Sequence, residues 1–149
     1  GDCAAESAAG GGGHPVRAAT VADIPALLDM GADFHAASGA RFCYDREAMA
    51  RVLAAMIEAD TATVILSDTG LIGGVLSPAY CDPAWIMAVE MFWWATGGGM
   101  ALLKAFEAWA AEQGAQEVRM TSLAGLPKAD AILQHKGYAP VEISYQKVI

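Results

Sequence analysis

The clearest change of hydrophobic pattern along the chain falls within residues 89–109. Val89–Ala95 is a bulky apolar run that Glu90 alone interrupts, and three consecutive glycines, Gly97–Gly99, follow soon after it. Beyond the glycines, apolar side chains recur at the three- and four-residue intervals of one helix face: Leu102, Leu103, Phe106 and Trp109. The pattern predicts a buried strand that turns sharply through glycines into the first turn of a helix.

Upstream of this stretch, the pattern predicts a short strand and two helices. The strand is Val16–Ala19, and the first helix follows Thr20, a residue suited to the N-cap position. A loop or broken helix is expected over Phe34–Tyr44, and Asp45 is expected to cap the second helix. The side chains expected to face the core are Ile24, Leu27 and Leu28 in the first helix, and Met49, Val52, Leu53, Met56 and Ile57 in the second.

The remaining elements complete an α/β fold. Turn residues at Ser67–Gly70 join two short apolar runs into a hairpin, and the strand from Trp85 to Ala95 is apolar on both faces, as at the centre of a covered sheet. Four further elements are predicted: a helix from Met100 to Gly114, a strand over Glu117–Ser122, a helix over Lys128–Lys136 and a final strand over Val141–Val148. This order predicts one mixed sheet with helices on both faces.

Composition narrows the class of protein. The chain has 149 residues, of which 55% are hydrophobic and 17% charged, so residues 14–149 are expected to form one globular domain. Residues 1–13 are of low complexity and are expected to be a flexible tail or a cloning remnant. No apolar run is long enough to span a bilayer, no secretory signal is apparent, and three cysteines without C-x-x-C spacing predict free thiols. A soluble, cytoplasmic protein is expected.

Charge and histidine content limit the partners. The formal net charge of −8 argues against a nucleic acid and favours cationic small molecules such as amines, and no membrane partner is expected. His14, His35 and His135 lack metal-ligand spacing, so no metal site is expected.

The glycine turn is a candidate anion site. A helix N-terminus presents unpaired backbone N–H groups and the positive end of the helix dipole, and both favour a phosphate. Neither the dinucleotide-binding fingerprint nor the phosphate-loop motif is met, because the glycines are consecutive and no Gly-Lys-Ser/Thr follows them. On spacing alone, a tight turn without a ligand is an equally good interpretation.

The run from Glu90 to Leu103, followed by Phe106-Glu-Ala-Trp, resembles the acetyl-coenzyme A (acetyl-CoA) site of the GNAT N-acetyltransferases. The family motif is Gln/Arg-x-x-Gly-x-Gly/Ala, and Thr96–Ala101 matches its last glycine and its small residue, with Thr96 in place of Gln or Arg. The strand-to-motif link is about four residues shorter than is usual in the family. The resemblance covers roughly Val16 to Ile149 and implies a GNAT-like, mostly antiparallel sheet whose fourth and fifth strands splay apart.

The resemblance also implies roles for individual residues. Backbone groups of Phe92, Trp93, Trp94 and Ala95 would bind the pantetheine arm of acetyl-CoA; the diphosphate would be bound by Thr96, Gly97, Gly98, Gly99, Met100 and Ala101, with Lys104 near a phosphate. One N–H of the strand would polarise the thioester carbonyl. The two indoles are also interpretable as sheet packing. At the position where many members carry a tyrosine acid, this chain has Leu133, whereas Gly137-Tyr138 matches the family's Gly-aromatic pair.

Glu90 is the candidate general base, because it is the only charge in an apolar strand and burial raises the pKa of a carboxyl. The alternative is a structural glutamate bonded to a neighbouring strand. Five residues of the irregular segment would roof the acceptor site: Phe34, His35, Ser38, Arg41 and Tyr44.

Three functions remain open on the sequence. The first is an N-acetyltransferase that moves acetyl from acetyl-CoA to an amine of a small molecule or peptide by direct attack in a ternary complex. The second is a non-catalytic acyl-CoA binder or sensor. The third is a homodimeric interaction module that uses Trp85, Trp93 or Trp94.

Overall fold

The computed structural model describes residues 15–149, so the expectations for residues 1–13 and for His14 lie outside the described part of the chain. A five-stranded sheet has the order β1-β2-β3-β4-β5. The strands are β1 (Arg17–Ala18), β2 (Ala62–Ser67), β3 (Gly70–Ala79), β4 (Asp82–Ala95) and β5 (Glu117–Arg119). A 3-10 helix (Val21–Asp23) precedes α1 (Ile24–Ser38), and the other helices are α2 (Arg46–Glu58), α3 (Gly99–Glu112) and α4 (Pro127–His135). Strands β1 to β4 are antiparallel, and β5 is parallel to β4.

The sheet has a core on each face. On one face, α1 and α2 contribute Leu27, Leu28, Leu53 and Met56, which pack against Val64, Leu66, Leu71 and Phe92 of the strands. On the other face, α3 contributes Leu102, Phe106 and Ala110, which pack against Ile65, Ile72 and Ala88. The predicted inward stripe of α2 is wrong at Val52, which is 40% exposed because it lies at the edge of the face that contacts the sheet.

A bulge in β4 changes which side chains face which core. Glu90 pairs with Gly74 and Phe92 with Gly73, so Met91 is an extra residue opposite β3. The glycines of β3 leave room for this irregular strand: a Cβ on Gly74 would lie 2.5 Å from the Val89 carbonyl oxygen and 2.6 Å from Phe106. A bulge bends a strand and increases its twist, and here it immediately follows the point where β4 leaves β5.

Strands β4 and β5 stay paired over only three residues each. Met87–Val89 pairs with Glu117–Arg119, and the parallel ladder ends there. Beyond Val89, β4 continues its ladder to β3 through Ala95, whereas no strand of residues 15–149 pairs with its other edge. The expected splaying of the fourth and fifth strands is therefore present.

Several elements differ from the sequence prediction. Strand β4 begins at Asp82, three residues before the predicted Trp85, and β5 ends at Arg119, three residues before the predicted Ser122. Helix α1 continues through Phe34 to Ser38 and ends at Gly39, which has a left-handed φ of 71°, so only the second half of Phe34–Tyr44 is irregular. The predicted strand over Val141–Val148 is wrong: these residues form no strand, and every one of them is exposed. Alternating polarity indicates which face of a strand would be apolar, but it does not show whether the segment pairs with a neighbouring strand. Val141–Val148 stays unpaired although β5 is the last strand of the sheet. No helix within residues 15–149 is long and apolar enough to cross a membrane.

Candidate active site

Glu90 lies at the point where β4 and β5 separate. Its side chain is 5% exposed, and its Oε1 accepts hydrogen bonds from the Thr121 backbone N–H at 3.0 Å and the Thr121 hydroxyl at 2.8 Å. Burial raises the pKa of Glu90, and the two hydrogen bonds from Thr121 oppose that rise because they stabilise the carboxylate. One side chain thus joins β4 to the segment that follows β5, and its carboxyl has a raised pKa.

An open backbone edge begins at Glu90 and runs along β4. Residues 90–95 pair with β3 on one side only, so every second residue of this stretch directs its N–H and C=O away from β3. At the usual rise of about 3.3 Å per residue, the open edge is about 20 Å long. It leads directly from the buried carboxyl to the glycine turn, and an open edge of this kind is one to which an extended ligand can add as a further strand.

The glycine turn is built as the sequence predicts and is supported by a second turn. Gly98 is the N-cap of α3 with a left-handed φ of 70°, which a residue without Cβ adopts without strain, and no side chain caps the helix. Thr69, in the turn between β2 and β3, donates its hydroxyl to the Gly97 carbonyl at 2.7 Å, and its own carbonyl accepts from the Thr96 N–H at 2.9 Å. The first N–H groups of α3 therefore stand at a rigidly held turn.

The aromatic side chains next to the open edge pack on opposite faces of the sheet. Trp93 belongs to the α3 side, where its indole Nε1 donates to the Gly99 carbonyl at 3.1 Å. Trp94 belongs to the α1 side, where its ring lies 5.9 Å from that of Phe34. Phe92 is buried on that same side, and Ala95 lies against the α3 core. The side chains of residues 92–95 therefore pack on the two faces of the sheet, and their backbone forms the open edge.

Helix α1 and the loop after it bring the five residues expected at the acceptor site into one neighbourhood. His35 Nε2 donates to the Phe42 carbonyl at 2.6 Å, and the Tyr44 hydroxyl donates to the Leu28 carbonyl at 2.8 Å. The Ser38 hydroxyl donates to the His35 carbonyl at 2.8 Å. These polar groups hold the loop to α1, whereas Arg41 is exposed and Phe34 contacts Trp94.

Other residues singled out by sequence lie around this frame. Met100 and Ala101 occupy the first turn of α3, and Lys104 is exposed one turn further along. Leu133 is buried in α4 and Tyr138 follows that helix, with its backbone N–H bonded to the Leu133 carbonyl. Burial, together with the neighbouring Glu107 carboxylate, raises the pKa of Tyr138 to about 12.

Two residues that the sequence did not single out organise the site. Thr121 partners Glu90 from 31 residues away, and Thr69 supports the glycine turn from 28 residues away. Threonine is common in strands and turns, and neither position stands out from its neighbours by pattern. Only the pairing of distant segments reveals these two contacts.

No protein-family model and no curated protein matches the sequence. Solved structures match the fold closely. A proposed acetyltransferase from Arthrobacter sp. FB24 has a TM-score of 0.74 and 20% identity, over 90% of this chain and 96% of that chain. AAC(6')-Iy, in complex with the bisubstrate analogue CoA-S-monomethyl-acetylneamine, has a TM-score of 0.69 and 13% identity, over 91% of this chain and 98% of that chain. A transcriptional regulator from Bacillus halodurans C-125 has a TM-score of 0.69 and 15% identity, over 91% and 99%.

The fold is therefore that of the GNAT acetyltransferases, as the resemblance implied. The chain has the mixed, mostly antiparallel sheet, the diverging β4 and β5, and a helix that begins at the glycine turn. Because the identities are 20% or lower, these matches describe the fold, and the activity rests on the site itself.

Proposed function

We propose that this protein is an N-acetyltransferase that moves acetyl from acetyl-CoA to an amine of a small molecule or peptide. The observation that carries the proposal is the open β4 edge, which begins at the buried carboxyl of Glu90 and ends at the unpaired N–H groups of the glycine turn. One end of this edge suits a proton acceptor, and the other suits a diphosphate.

Acetyl-CoA would lie along the open edge. The diphosphate binds at Thr96–Ala101, where backbone N–H groups and the helix dipole favour negative charge, and Lys104 lies one turn further along the helix. The pantetheine arm adds to β4 at residues 92–95 as an extra strand would, and its amides pair with backbone groups that β5 leaves free. An N–H of the same stretch polarises the thioester carbonyl and stabilises the oxyanion that forms there.

The acceptor amine attacks the thioester carbonyl directly in the ternary complex. The new C–N bond forms as the nitrogen loses a proton to Glu90, directly or through one water molecule, and the C–S bond then breaks to release the thiolate of coenzyme A. A raised pKa makes the Glu90 carboxylate a stronger base than an ordinary glutamate. Since an ordinary thiol has a pKa of about 8.5, the thiolate leaves readily and takes its proton from water. No covalent enzyme intermediate is required.

The acceptor would enter beside the loop that follows α1. Phe34, His35, Ser38, Arg41 and Tyr44 are the residues that we assign to this side of the site. The net charge of −8 attracts a cationic amine. Such an amine must lose its ammonium proton before its nitrogen can attack, and the carboxylate of Glu90 would assist this deprotonation.

A second candidate function is a non-catalytic acyl-CoA binder or sensor. The specific observation in its favour is Leu133, a buried aliphatic side chain at the position where the resemblance places a tyrosine acid. One solved structure that shares the fold is a transcriptional regulator. In this function the open edge and the glycine turn bind the ligand, and Glu90 only joins β4 to β5.

Calorimetry and a thiol-release assay together distinguish these functions. We expect acetyl-CoA to bind, and acetyl-pantetheine, which lacks the diphosphate, to bind at least tenfold more weakly. With a panel of primary amines, we expect release of free thiol, and we expect Glu90→Gln to reduce the rate by about a hundredfold or more while leaving binding of acetyl-CoA intact. Binding without release from any amine would favour the sensor, and a lack of binding would exclude both functions.

A further inference from the structure

Arg119, the last residue of β5, directs its side chain to the face of the sheet that α1 and α2 cover. It pairs with Val89 of β4, and Val89 pairs in turn with Val75 of β3. Residues that lie directly opposite each other in a sheet direct their side chains to the same face, and Val75 packs against the core formed with α1 and α2. The Arg119 side chain therefore shares a face with Phe34 and with the loop beside which the proposed acceptor enters.

The core on this face does not extend to β5. Its strand residues belong to β2, to β3 and to the end of β4, where Phe92 and Trp94 lie. The β5 residue that joins a core is Val118, and it packs on the opposite face, against α3. Trp85, which lies next to Arg119 on the face of α1 and α2, is 42% exposed. The surface around Arg119 is therefore open to a ligand.

Arg119 is also near the contact that binds Glu90. Thr121 follows Arg119 by two residues and donates two hydrogen bonds to the Glu90 carboxyl. Since two residues of fully extended chain span at most about 7 Å, the Cα atoms of Arg119 and Thr121 lie within that distance. On β4, the partner of Arg119 is Val89, which directly precedes Glu90. A long cationic side chain and the proposed proton acceptor thus lie at the same end of the open β4 edge.

The guanidinium of Arg119 has donors that no protein group uses. Within residues 15–149 its one acceptor is Glu117 Oε1, which lies 3.4 Å from Nη2 and already accepts from the Trp85 indole N–H at 3.0 Å. The Nε–H is buried, and no acceptor of the described residues lies within hydrogen-bonding distance of it. Burial of a donor without a partner is unfavourable, and a ligand that supplied an acceptor would remove that cost. The side chain as a whole is 36% exposed, so part of it is accessible to such a ligand.

A carboxylate on an amine is the ligand chemistry that fits these charges. The planar fork of a guanidinium matches the two oxygens of a carboxylate or of a phosphate. The net charge of −8 repels a ligand that carries only negative charge, and it attracts the ammonium group of an amine. An amine that bears one carboxylate meets both conditions, with its carboxylate at Arg119 and its nitrogen near Glu90.

We propose that Arg119 binds a carboxylate of the acceptor, so that the preferred acceptor is an amino acid or another amine that carries a carboxylate. The inference rests on the proposed N-acetyltransferase function and narrows its class of acceptor. The long contact with Glu117 orients the guanidinium in the free protein without saturating its donors. A side chain that is oriented before binding loses less conformational entropy when the ligand arrives.

Thiol release with matched acceptors tests the proposal. Glycine, β-alanine and γ-aminobutyrate are each compared with the corresponding carboxamide, which has nearly the same size and no carboxylate. We expect Arg119→Met to lower the ratio of kcat/KM for the preferred amino acid to that for its carboxamide by about tenfold or more, as expected for the loss of a charged hydrogen bond. Differences in amine basicity cancel, because the same two compounds are compared in both proteins. Arg119→Lys keeps the charge without the planar fork and should give an intermediate ratio.

Two further variants separate binding of the carboxylate from a structural role of Arg119. Arg51→Met removes an exposed arginine of α2 that is paired with Glu47, and it should leave the ratio unchanged. Glu117→Gln removes the carboxylate that competes for the guanidinium but keeps an acceptor oxygen for Trp85, so the ratio should increase about twofold or more. Circular dichroism reports whether each variant is folded. A folded Arg119→Met that leaves the ratio unchanged would overturn the proposal.

A binding measurement keeps this outcome distinct from that of the proposed function. In the presence of coenzyme A, which carries no acetyl group to transfer, calorimetry should show the preferred amino acid binding to Arg119→Met about tenfold more weakly than to wild type. Thiol release from carboxamides and amino acids at equal kcat/KM would overturn the role of Arg119 and leave the acetyltransferase standing. Thiol release from no amine would exclude the acetyltransferase. In that case, amino-acid binding that depends on Arg119 would still support the carboxylate site, and a lack of such binding would overturn it.

Discussion

Glu90 combines burial, which affects stability, with the proposed role of general base. Its low exposure raises its pKa, and Thr121 offsets part of that effect by donating two hydrogen bonds to Oε1. A glutamine at this position keeps an acceptor oxygen for both donors and removes the charge. A comparison of the wild type with Glu90→Gln therefore measures the free-energy cost of burying the charge separately from the contribution of the two hydrogen bonds to Thr121.

The first prediction concerns the free energy of unfolding of Glu90→Gln. A carboxyl whose pKa is higher in the folded state than in the unfolded state contributes most to stability below its unfolded pKa, and that contribution is lost as the pH rises through the folded pKa. Relative to wild type, Glu90→Gln should therefore gain stability as the pH rises from the ordinary glutamate pKa of about 4.3 through the raised pKa of folded Glu90, by about 1.4 kcal/mol for each unit by which the pKa is raised. Urea unfolding at several pH values measures this difference.

The control for that experiment is Glu58→Gln, which changes an exposed glutamate at the end of α2 by the same removal of one charge. A difference between Glu90→Gln and wild type that stays constant with pH, or that decreases as the pH rises, would show that the carboxyl is not destabilised by burial.

The second prediction concerns Thr121→Val, which removes the hydroxyl and leaves the backbone N–H. Without the hydroxyl bond of 2.8 Å, the carboxylate is less stabilised, and the pKa of Glu90 rises further. If Glu90 is the base, the acidic limb of the profile of kcat/KM against pH should move up by about one unit. Thr121→Ser keeps a hydroxyl and should leave the limb in place. A profile that Thr121→Val does not move would assign Glu90 a structural role only.

The sequence alone identified Glu90 but not its partner, for a physical reason. A single charge in an apolar strand contradicts the local pattern and is therefore visible. Thr121 fits the local sequence pattern around it and so does not stand out. Its contact with Glu90 depends on where β5 ends relative to β4. Local chemistry is readable from sequence, whereas a contact across two strands depends on register.

At the scale of elements, the glycine turn depends on the hairpin next to it. The Thr69 hydroxyl and carbonyl bond to Gly97 and Thr96, so the turn between β2 and β3 fixes the turn that begins α3. Two connections that are far apart in the chain thus act as one rigid unit. A rigid unit loses less conformational entropy when it binds a ligand than a mobile loop does.

The third prediction follows for Thr69→Val. The variant leaves the Gly97 carbonyl without its hydroxyl donor and loosens the turn, so acetyl-CoA should bind roughly five- to tenfold more weakly, as expected for a loss of about 1 kcal/mol. Thr69→Ser keeps the donor and should bind as wild type does. Calorimetry with acetyl-CoA gives both dissociation constants, and equal constants for Val and Ser would show that the hairpin does not organise the diphosphate site.

Elements were predictable where local pattern and pairing agree. The glycines, the apolar run before them and the helix after them were all correctly placed, because strand, turn and helix each leave a local signal there. The predicted strand over Val141–Val148 is wrong because alternation of apolar and polar residues indicates the faces of a strand and not whether another strand pairs with it. The prediction that Val52 faces the core is wrong because helical periodicity indicates which face of a helix is apolar and not how much of that face contacts the sheet.

At the scale of the whole molecule, the order of elements was enough to predict the fold class. Solved structures with 20% identity or less share this fold, which shows that many different side chains can fill the cores on the two faces of the same sheet. The location of the proposed site follows from topology, since this open edge begins where β4 extends past its pairing with β5. The acceptor does not follow from topology, because it depends on loop side chains.

The last prediction uses the net charge of the whole chain. A charge of −8 produces a negative potential that accelerates the approach of a cation and that salt screens, with a Debye length of about 30 Å at 0.01 M and 8 Å at 0.15 M. For an aliphatic amine, which is cationic at neutral pH, kcat/KM should fall several-fold between these salt concentrations while kcat changes little, because salt weakens the encounter and not the bond-forming step. An arylamine, neutral at the same pH, is the matched control and should show little change. Equal salt dependence for both acceptors would indicate that salt acts on acetyl-CoA binding or on the fold, and that long-range attraction does not select the acceptor.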